Sequence, residues 1–567
     1  MALIDIKDLS FTYPNAEHKA LDRVSLTIGR GAFITLMGAT GSGKSTLLRL
    51  LKPELRQNGD LQGEIIYEVD RCAPSLQSLS RHTSTASIPK GSPDIVDIGM
   101  MEQRKSAERI GFVAQNPEEQ IVTDKVWHEL AFTLENLGAR QTDIARRVAE
   151  IASYFGIDAW MERDTATLSG GEKQLVNLAA VMTADPELLL LDEPTAQLDP
   201  IAAARFIETV CRLNRETGVT VMMNEHRAEE LFPLSDRIVI LDHGKVEFDD
   251  TPRAVAQQIG TDSAFASYLP TAARLYHKVG GKGEIPLTVR EGQRFVEQLT
   301  VIGDVKTNDA EQNTAQEALS LKSICFRYER RGADILRDLD LTVYKGEVYA
   351  LLGANGAGKS TAAAVAAGLR KPFCGTVKLF GKALKEYKNG ALYNENLSLL
   401  PQDVESVFIR ETVREELKGC EAAAEKLPYD LFALCDRHPY DISGGERQLV
   451  ALAKALSTNP RFLIMDEPSK GLDANAKALL RDVIWQLKTD GVTILLITHD
   501  VEFAALCADR CAMFAQGRIA SVDSTDRFMS DNRFYTTAAS RITRRFTDGA
   551  YTAERAAGML TAQGGDI

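Results

Sequence analysis

FITLMGATGSGKSTLLRLL, residues 33–51, is an apolar run, a glycine-rich loop and a run of helix formers in succession. An uninterrupted apolar run of this length predicts a strand buried on both faces. Gly38, Gly41 and Gly43 let the chain turn so that successive backbone N–H groups converge on one anion, and the following helix brings its positive end to the same point. The stretch recurs as EVYALLGANGAGKSTAAAVAAGL at 347–369, with Gly353, Gly356 and Gly358 in the same places. Gly-x-x-x-x-Gly-Lys-Ser is a phosphate-binding pattern: Lys44 and Lys359 would reach the β and γ phosphates of a nucleotide, Ser45 and Ser360 would ligate Mg²⁺, and Thr46 and Thr361 would contact an adjacent phosphate. Strand, loop and helix in this order predict two tandem α/β P-loop domains, each with a mostly parallel sheet.

The rest of the chain repeats with this motif. Tyr13 and Tyr328 are 315 positions apart, as are Lys44 and Lys359. From Gln115 and Gln402 the offset falls to 287, which places 28 extra residues in the first copy, within about 71–106. That stretch, with SLQSLSRHTSTASIPKGSPD at its centre, is rich in Ser, Thr, Pro and Gly and reads as an exposed insert loop. Asp192 and Asp466 differ by 274, and His226 and His499 by 273. Offsets that change at so few places indicate two whole domains. The expected boundaries are a first domain over 1–301, a polar, acidic linker over 302–317, a second domain over 318–531 and a partly basic, helical tail over 532–567.

A chain of 567 residues exceeds one hydrophobic core, and 44% hydrophobic with 26% charged residues is a globular composition. The net charge of −13 argues against a general nucleic-acid binder. Eight scattered cysteines read as reduced and buried, Cys507 and Cys511 sharing a helical spacing. No run of some 18 apolar residues is present, and the N-terminus MALIDIKDLSF lacks the regions of a secretory signal.

LLLLDEP at 188–194 and FLIMDEP at 462–468 bring two carboxylates to the end of a buried strand. There Asp192 and Asp466 can hold Mg²⁺ through water, and Glu193 and Glu467 can orient or deprotonate the attacking water. LSGGEKQ at 168–174 and ISGGERQ at 442–448 open helices whose N-termini face an anion. These two segments resemble the signature of the ATP-binding cassette family, and the resemblance covers nearly the whole chain.

In that family one domain's signature contacts the γ-phosphate held by the other. The resemblance thus implies an intramolecular pseudo-dimer of the two domains with two composite ATP sites. The first combines Lys44, Gln115, Asp192, Glu193 and His226 with Ser443, Gly444, Gly445 and Glu446; the second combines Lys359, Gln402, Asp466, Glu467 and His499 with Ser169, Gly170, Gly171 and Glu172. It further implies that Tyr13 and Tyr328 stack on adenine, that Gln115 and Gln402 sense Mg²⁺ and water, that His226 and His499 contact the γ-phosphate, and that Asp199 and Asp473 sit in loops linking the domains. Ile442 in place of Leu and Gln197 in the loop TAQLD depart mildly from the pattern. Both sites are complete, so both are expected to hydrolyse ATP.

What the engine drives is a separate question. Chromosome and repair ATPases place a long coiled coil or zinc modules between phosphate loop and signature; no heptads or paired CxxC motifs lie between Lys44 and Ser169 or between Lys359 and Ser443. Translation-type twin cassettes, the soluble alternative, typically carry a long, highly charged linker. Twin-domain sugar-import ATPases commonly have one altered signature, whereas both SGGE motifs stand here. NPEEQIVTDKVWHELAF at 116–132 and QDVESVFIRETVREEL at 402–417 resemble energy-coupling factor ATPases. That resemblance implies a peripheral subunit on the cytoplasmic side of the cell membrane, partnered by a transmembrane component and a substrate-binding membrane component as separate chains. The cargo would be a vitamin, transition-metal ion or similar small solute.

Overall fold

The computed structural model describes residues 2–14, 16, 18–69, 94–260, 263–301, 316–388 and 390–562. They fall into two compact units, Met1–Leu269 and Pro270–Ile567. The first runs through β1 (Ala2–Thr12), β2 (Leu21–Gly29), β3 (Phe33–Met37), β4 (Asp60–Val69), β5 (Asp94–Asp97), β6 (Ile110–Val113), β7 (Leu188–Asp192), β8 (Thr220–Asn224), β9 (Arg237–Asp242) and β10 (Lys245–Asp250). The second carries β11 (Leu299–Val301), β12 (Glu317–Phe326), β13 (Leu336–Tyr344), β14 (Val348–Leu352), β15 (Cys374–Leu379), β16 (Lys382–Ala383), β17 (Leu397–Leu400), β18 (Phe462–Asp466), β19 (Thr493–Thr498), β20 (Arg510–Ala515), β21 (Arg518–Ser524) and β22 (Leu560–Ala562).

Each unit is an α/β domain built on the same plan. An antiparallel sheet, β2-β1-β4-β5 or β13-β12-β15-β16, accompanies a six-stranded sheet, β10-β9-β3-β8-β7-β6 or β17-β18-β19-β14-β20-β21. In the larger sheets every pairing is parallel except that of the last strand, β10 or β21, which turns back along the edge. The continuous apolar runs FITLM, LLLLD and TVMMN are wholly buried and take central positions, whereas the charged KVEFDD of β10 lies at the edge. β3 and β14 each have neighbours on both sides that come later in the chain, so the loop after them opens at the point where strand order reverses, the usual crevice for a ligand in such a sheet.

The structure moves three expected boundaries. The segment 270–301, read as the end of the first domain, belongs to the second unit. Its helices Thr271–Lys278 and Val289–Val296 share a small core with the tail helices Ala538–Thr543 and Ala553–Met559, through Ala272, Leu275, Val296, Ile542, Ala556 and Met559. β11 pairs antiparallel with β22. Each of these helices has only one apolar stripe, and two segments remote in sequence cover each other's. The tail is therefore half of a packed subdomain.

The second shift concerns the insert. Residues 71–93 lie outside the described residues, but 94–106 are not loop: β5 pairs with β4, Asp97 accepts from the Gly99 N–H at 2.7 Å, and a helix runs Gln103–Arg109. Of the linker, 302–315 also lie outside the described residues, and β12 already begins at Glu317. Finally, Cys507 ends a helix while Cys511 lies in β20, so the pair does not share a helix; both thiols are buried, which pushes the Cys511 thiol up to about 12.

Candidate active site

In the first unit the backbone of the phosphate loop is packed against its neighbours. Gly38 has φ 140°, and a Cβ there would come 2.1 Å from the Leu241 carbonyl oxygen. Lys44, opening the helix Lys44–Leu50, donates to the Gly38 and Ala39 carbonyls at 2.8 Å each, which holds its ammonium inside the loop. Ser45 Oγ donates to Asp192 Oδ1 at 2.8 Å, and Asn224 Nδ2 donates to the same oxygen at 2.7 Å. Burial pushes the Asp192 carboxyl up, and these donors oppose it.

Glu193 has φ 45°, with its N–H bonded to the Asn224 carbonyl at 2.9 Å. A left-handed backbone at a non-glycine residue costs energy and is retained where its surroundings fix it. The turn brings the carboxylate to Gln115 Nε2 at 2.9 Å and to His226 Nε2 at 3.3 Å. The phosphate loop, both carboxylates, Gln115 and His226 are thus gathered at one end of the sheet.

The second unit builds the same centre with different partners. Lys359 Nζ donates to Gly353 O at 2.7 Å and Ala354 O at 3.1 Å, and lies 3.4 Å from Glu467 Oε1. Glu467 has φ 51° and is buried. Its Oε2 accepts from the His499 N–H at 3.2 Å and lies 2.9 Å from His499 Nδ1. Burial raises the Glu467 carboxyl, but His499 and Lys359 outweigh it and hold it below the usual range. Gln402 is exposed, and among the described residues no hydrogen bond joins it to Glu467.

The signature helices Gly170–Met182 and Gly444–Leu456 each begin with a capping box. Ser169 Oγ accepts from Glu172 N at 3.4 Å while Glu172 Oε2 accepts from Ser169 N at 2.8 Å; Ser443 and Glu446 repeat this at 3.3 and 2.8 Å. Glu172 and Glu446, expected at the nucleotide, spend their carboxylates on this cap, with further bonds from Arg163 and from Tyr429. Gly170 and Gly444 leave the helix ends open, with nothing near where a Cβ would stand. Asp199 and Asp473 likewise cap the helices that follow, accepting from Ala202 N and Ala476 N at 2.8 Å. Tyr13 and Tyr328 hydroxyls meet Thr46 and Thr361 at 2.9 and 3.1 Å, placing both rings beside the phosphate loops.

The donor set fits Mg²⁺. Ser45 with Asp192, and Ser360 with Asp466, offer hard oxygens side by side, and Asp466 Oδ1 is buried without a hydrogen-bond partner. Among the described residues no group of three or more His, Cys, Asp or Glu could hold a metal unaided, so the remaining ligands would be phosphate and water, as Mg²⁺ prefers.

Burial also sets a pH dependence. The Asp466 carboxyl is pushed up to about 6 from 3.8. A carboxyl raised on folding favours the folded state below its unfolded pKa, and that contribution is lost as pH rises through the folded value. Asp466→Asn should therefore stabilise the metal-free protein at pH 7.5, by at most about 3 kcal/mol, and do so much less at pH 4. Denaturant melts at the two pH values check this; equal effects at both would contradict it.

Sequence reasoning did not single out Asn224 or Glu225. With His226 aligned to His499, they stand opposite Ile497 and Thr498, and that mismatch in an otherwise regular repeat was the available signal.

A family model described as ABC transporter matches residues 21–196 and 336–470. The chain belongs to the ABC transporter family. An ABC transporter ATP-binding protein of Bacillus cereus is 38% identical over 98% of this chain and 97% of its own length. One of Streptomyces coelicolor is 31% identical, covering 91% and 93%. Among solved structures, the archaeal ribosome recycling factor aABCE1, in complex with ribosomal stalk protein aP1, superposes with a TM-score of 0.56 over 92% of this chain and 91% of that one; at 21% identity this shows the fold alone. The chain is an ABC ATPase with two fused ATP-binding domains.

Proposed function

We propose that this ABC ATPase is the energy-supplying subunit of an energy-coupling-factor-type membrane importer, with two composite ATP sites and transmembrane subunits on separate chains. The observation that carries the reading is the surface just after Gln115 and Gln402. In the first unit, buried Glu129 accepts from the backbone of Val122 and Thr123 at 3.1 and 2.9 Å, leaving the Val122 side chain 62% exposed. In the second, buried Glu416 accepts from Ile409 and Arg410 at 2.5 Å each, and Ile409 is 76% exposed. An apolar side chain held outward by a buried carboxylate in both copies suits docking of a short helix from a membrane partner. Among the described residues no helix is long and apolar enough to cross a membrane. The relatives' names, ABC transporter ATP-binding protein, support the coarser part of this reading, a transporter's ATP-binding protein.

Within each site, the phosphate loop and its lysine bind and orient ATP, and Mg²⁺, when bound by Ser45 and Asp192 or by Ser360 and Asp466, offsets phosphate charge. Glu193 and Glu467 orient and accept a proton from the attacking water, with His226 and His499 beside them. The opposite unit's signature helix end completes the site. ATP binding then closes the units and hydrolysis reopens them, a two-state clamp whose halves are kept paired by covalent fusion.

Copurification of the tagged chain from detergent-solubilised membranes should recover integral membrane subunits in fixed stoichiometry. Recovery with ribosomes and no integral membrane protein would overturn the importer reading.

A further inference from the structure

The first unit contains a buried acid with no part in the hydrolysis step described above. Glu225 is 3% exposed and lies between two active-site loops. Its Oε1 accepts from the Thr195 N–H at 2.9 Å and from the Thr195 hydroxyl. Its Oε2 accepts from the His226 N–H at 2.9 Å. Arg227 Nε donates to Thr195 Oγ1 at 3.0 Å, so the hydroxyl bridges the acid and a cation. One carboxylate therefore ties TAQLD, the loop that follows Glu193, to the backbone of the histidine that faces Glu193.

In the second unit, among the described residues, no carboxylate makes this tie. Thr498 stands in place of Glu225, and its hydroxyl is 3.5 Å from that of Ser469, which replaces Thr195. Asp500 replaces Arg227 and is taken by Lys477 at 2.6 Å. The His499 N–H is held by the catalytic Glu467 itself. Hydrogen bonds to a buried charge are among the stronger ones, and losing one leaves a donor unsatisfied.

We infer that Glu225 is a positioning residue for hydrolysis in the first unit: it fixes His226 and the 195–199 loop as one body, so that Gln115, Glu193 and His226 keep their geometry through turnover. The second unit holds its histidine through the catalytic carboxylate, so the two sites, complete in residue types, are built to respond differently. This concerns hydrolysis alone and holds whichever partner the chain drives.

The test uses the full-length chain. Glu225→Gln preserves shape but turns one end of the acid into a donor facing an N–H; Thr195→Val removes the bridging hydroxyl. The yardstick is the part of steady-state ATP turnover that Glu193→Gln removes. Glu225→Gln should lose more than four fifths of that part with KM for ATP within twofold of wild type, Thr195→Val should lose at least half, and the double variant should be no worse than Glu225→Gln, as members of one network are non-additive. Retention of wild-type turnover by Glu225→Gln, a loss that follows a raised KM and a lowered melting temperature, or additive losses would each overturn the assignment.

Discussion

Glu193→Gln and Glu467→Gln, made separately, are each expected to lower steady-state ATP turnover by at least half, and together by about 100-fold or more. The amide keeps the shape of the side chain but cannot take up a proton from water. In the first unit it replaces an acceptor for Gln115 and a neighbour of His226. In the second it removes the charge that faces both Lys359 and His499, so Glu467→Gln also frees Lys359 for phosphate. ATP affinity should accordingly hold or rise in Glu467→Gln while turnover falls. Phosphate release measured at saturating ATP decides the matter. One variant with wild-type turnover would show that its site does no work in the cycle.

The second large effect is a pattern of coupling. If sites are shared, Lys44→Ala and Ser443→Arg damage the same one, and Lys359→Ala and Ser169→Arg the other. Each pairing within a site should be no worse than its more severe member, whereas Lys44→Ala with Ser169→Arg should abolish turnover, about 100-fold or more below wild type. The capping geometry makes arginine a clean probe: Ser169 and Ser443 stand at helix N-termini with open glycines beside them, so a bulky cation obstructs that end while Glu172 and Glu446 still accept from the backbone. Additive losses within Lys44→Ala and Ser443→Arg would mean that each unit works alone.

The centre of each unit was legible because its signals are local. Apolar runs announced β3, β7, β14 and β18; Gly-Lys-Ser-Thr shortly after β3 and β14 announced the phosphate loops, and Asp-Glu-Pro at the ends of β7 and β18 announced the carboxylates. Placing Glu193 and Glu467 in a left-handed turn beside a histidine needed the sheet, since β7 and β8 bring 192 and 224 together only by pairing. The 270–301 segment was misassigned for a related reason: its apolar stripe shows that it packs, not on what, and its partner lies some 250 residues downstream. Glu172 and Glu446 are expected at the nucleotide from the motif, and in the structure their carboxylates also cap the signature helices. The Ser-x-x-Glu spacing was itself a capping signature. Glu225 escaped notice because a glutamate beside a histidine reads as ordinary surface until burial is known.

The sharing of sites is tested most directly by counting nucleotide. In the Glu193→Gln and Glu467→Gln double variant, which binds but does not turn over, ATP retained after rapid desalting should reach two per chain. Adding Ser443→Arg should reduce it to one, held by the Lys359 loop; retention of two would contradict shared sites.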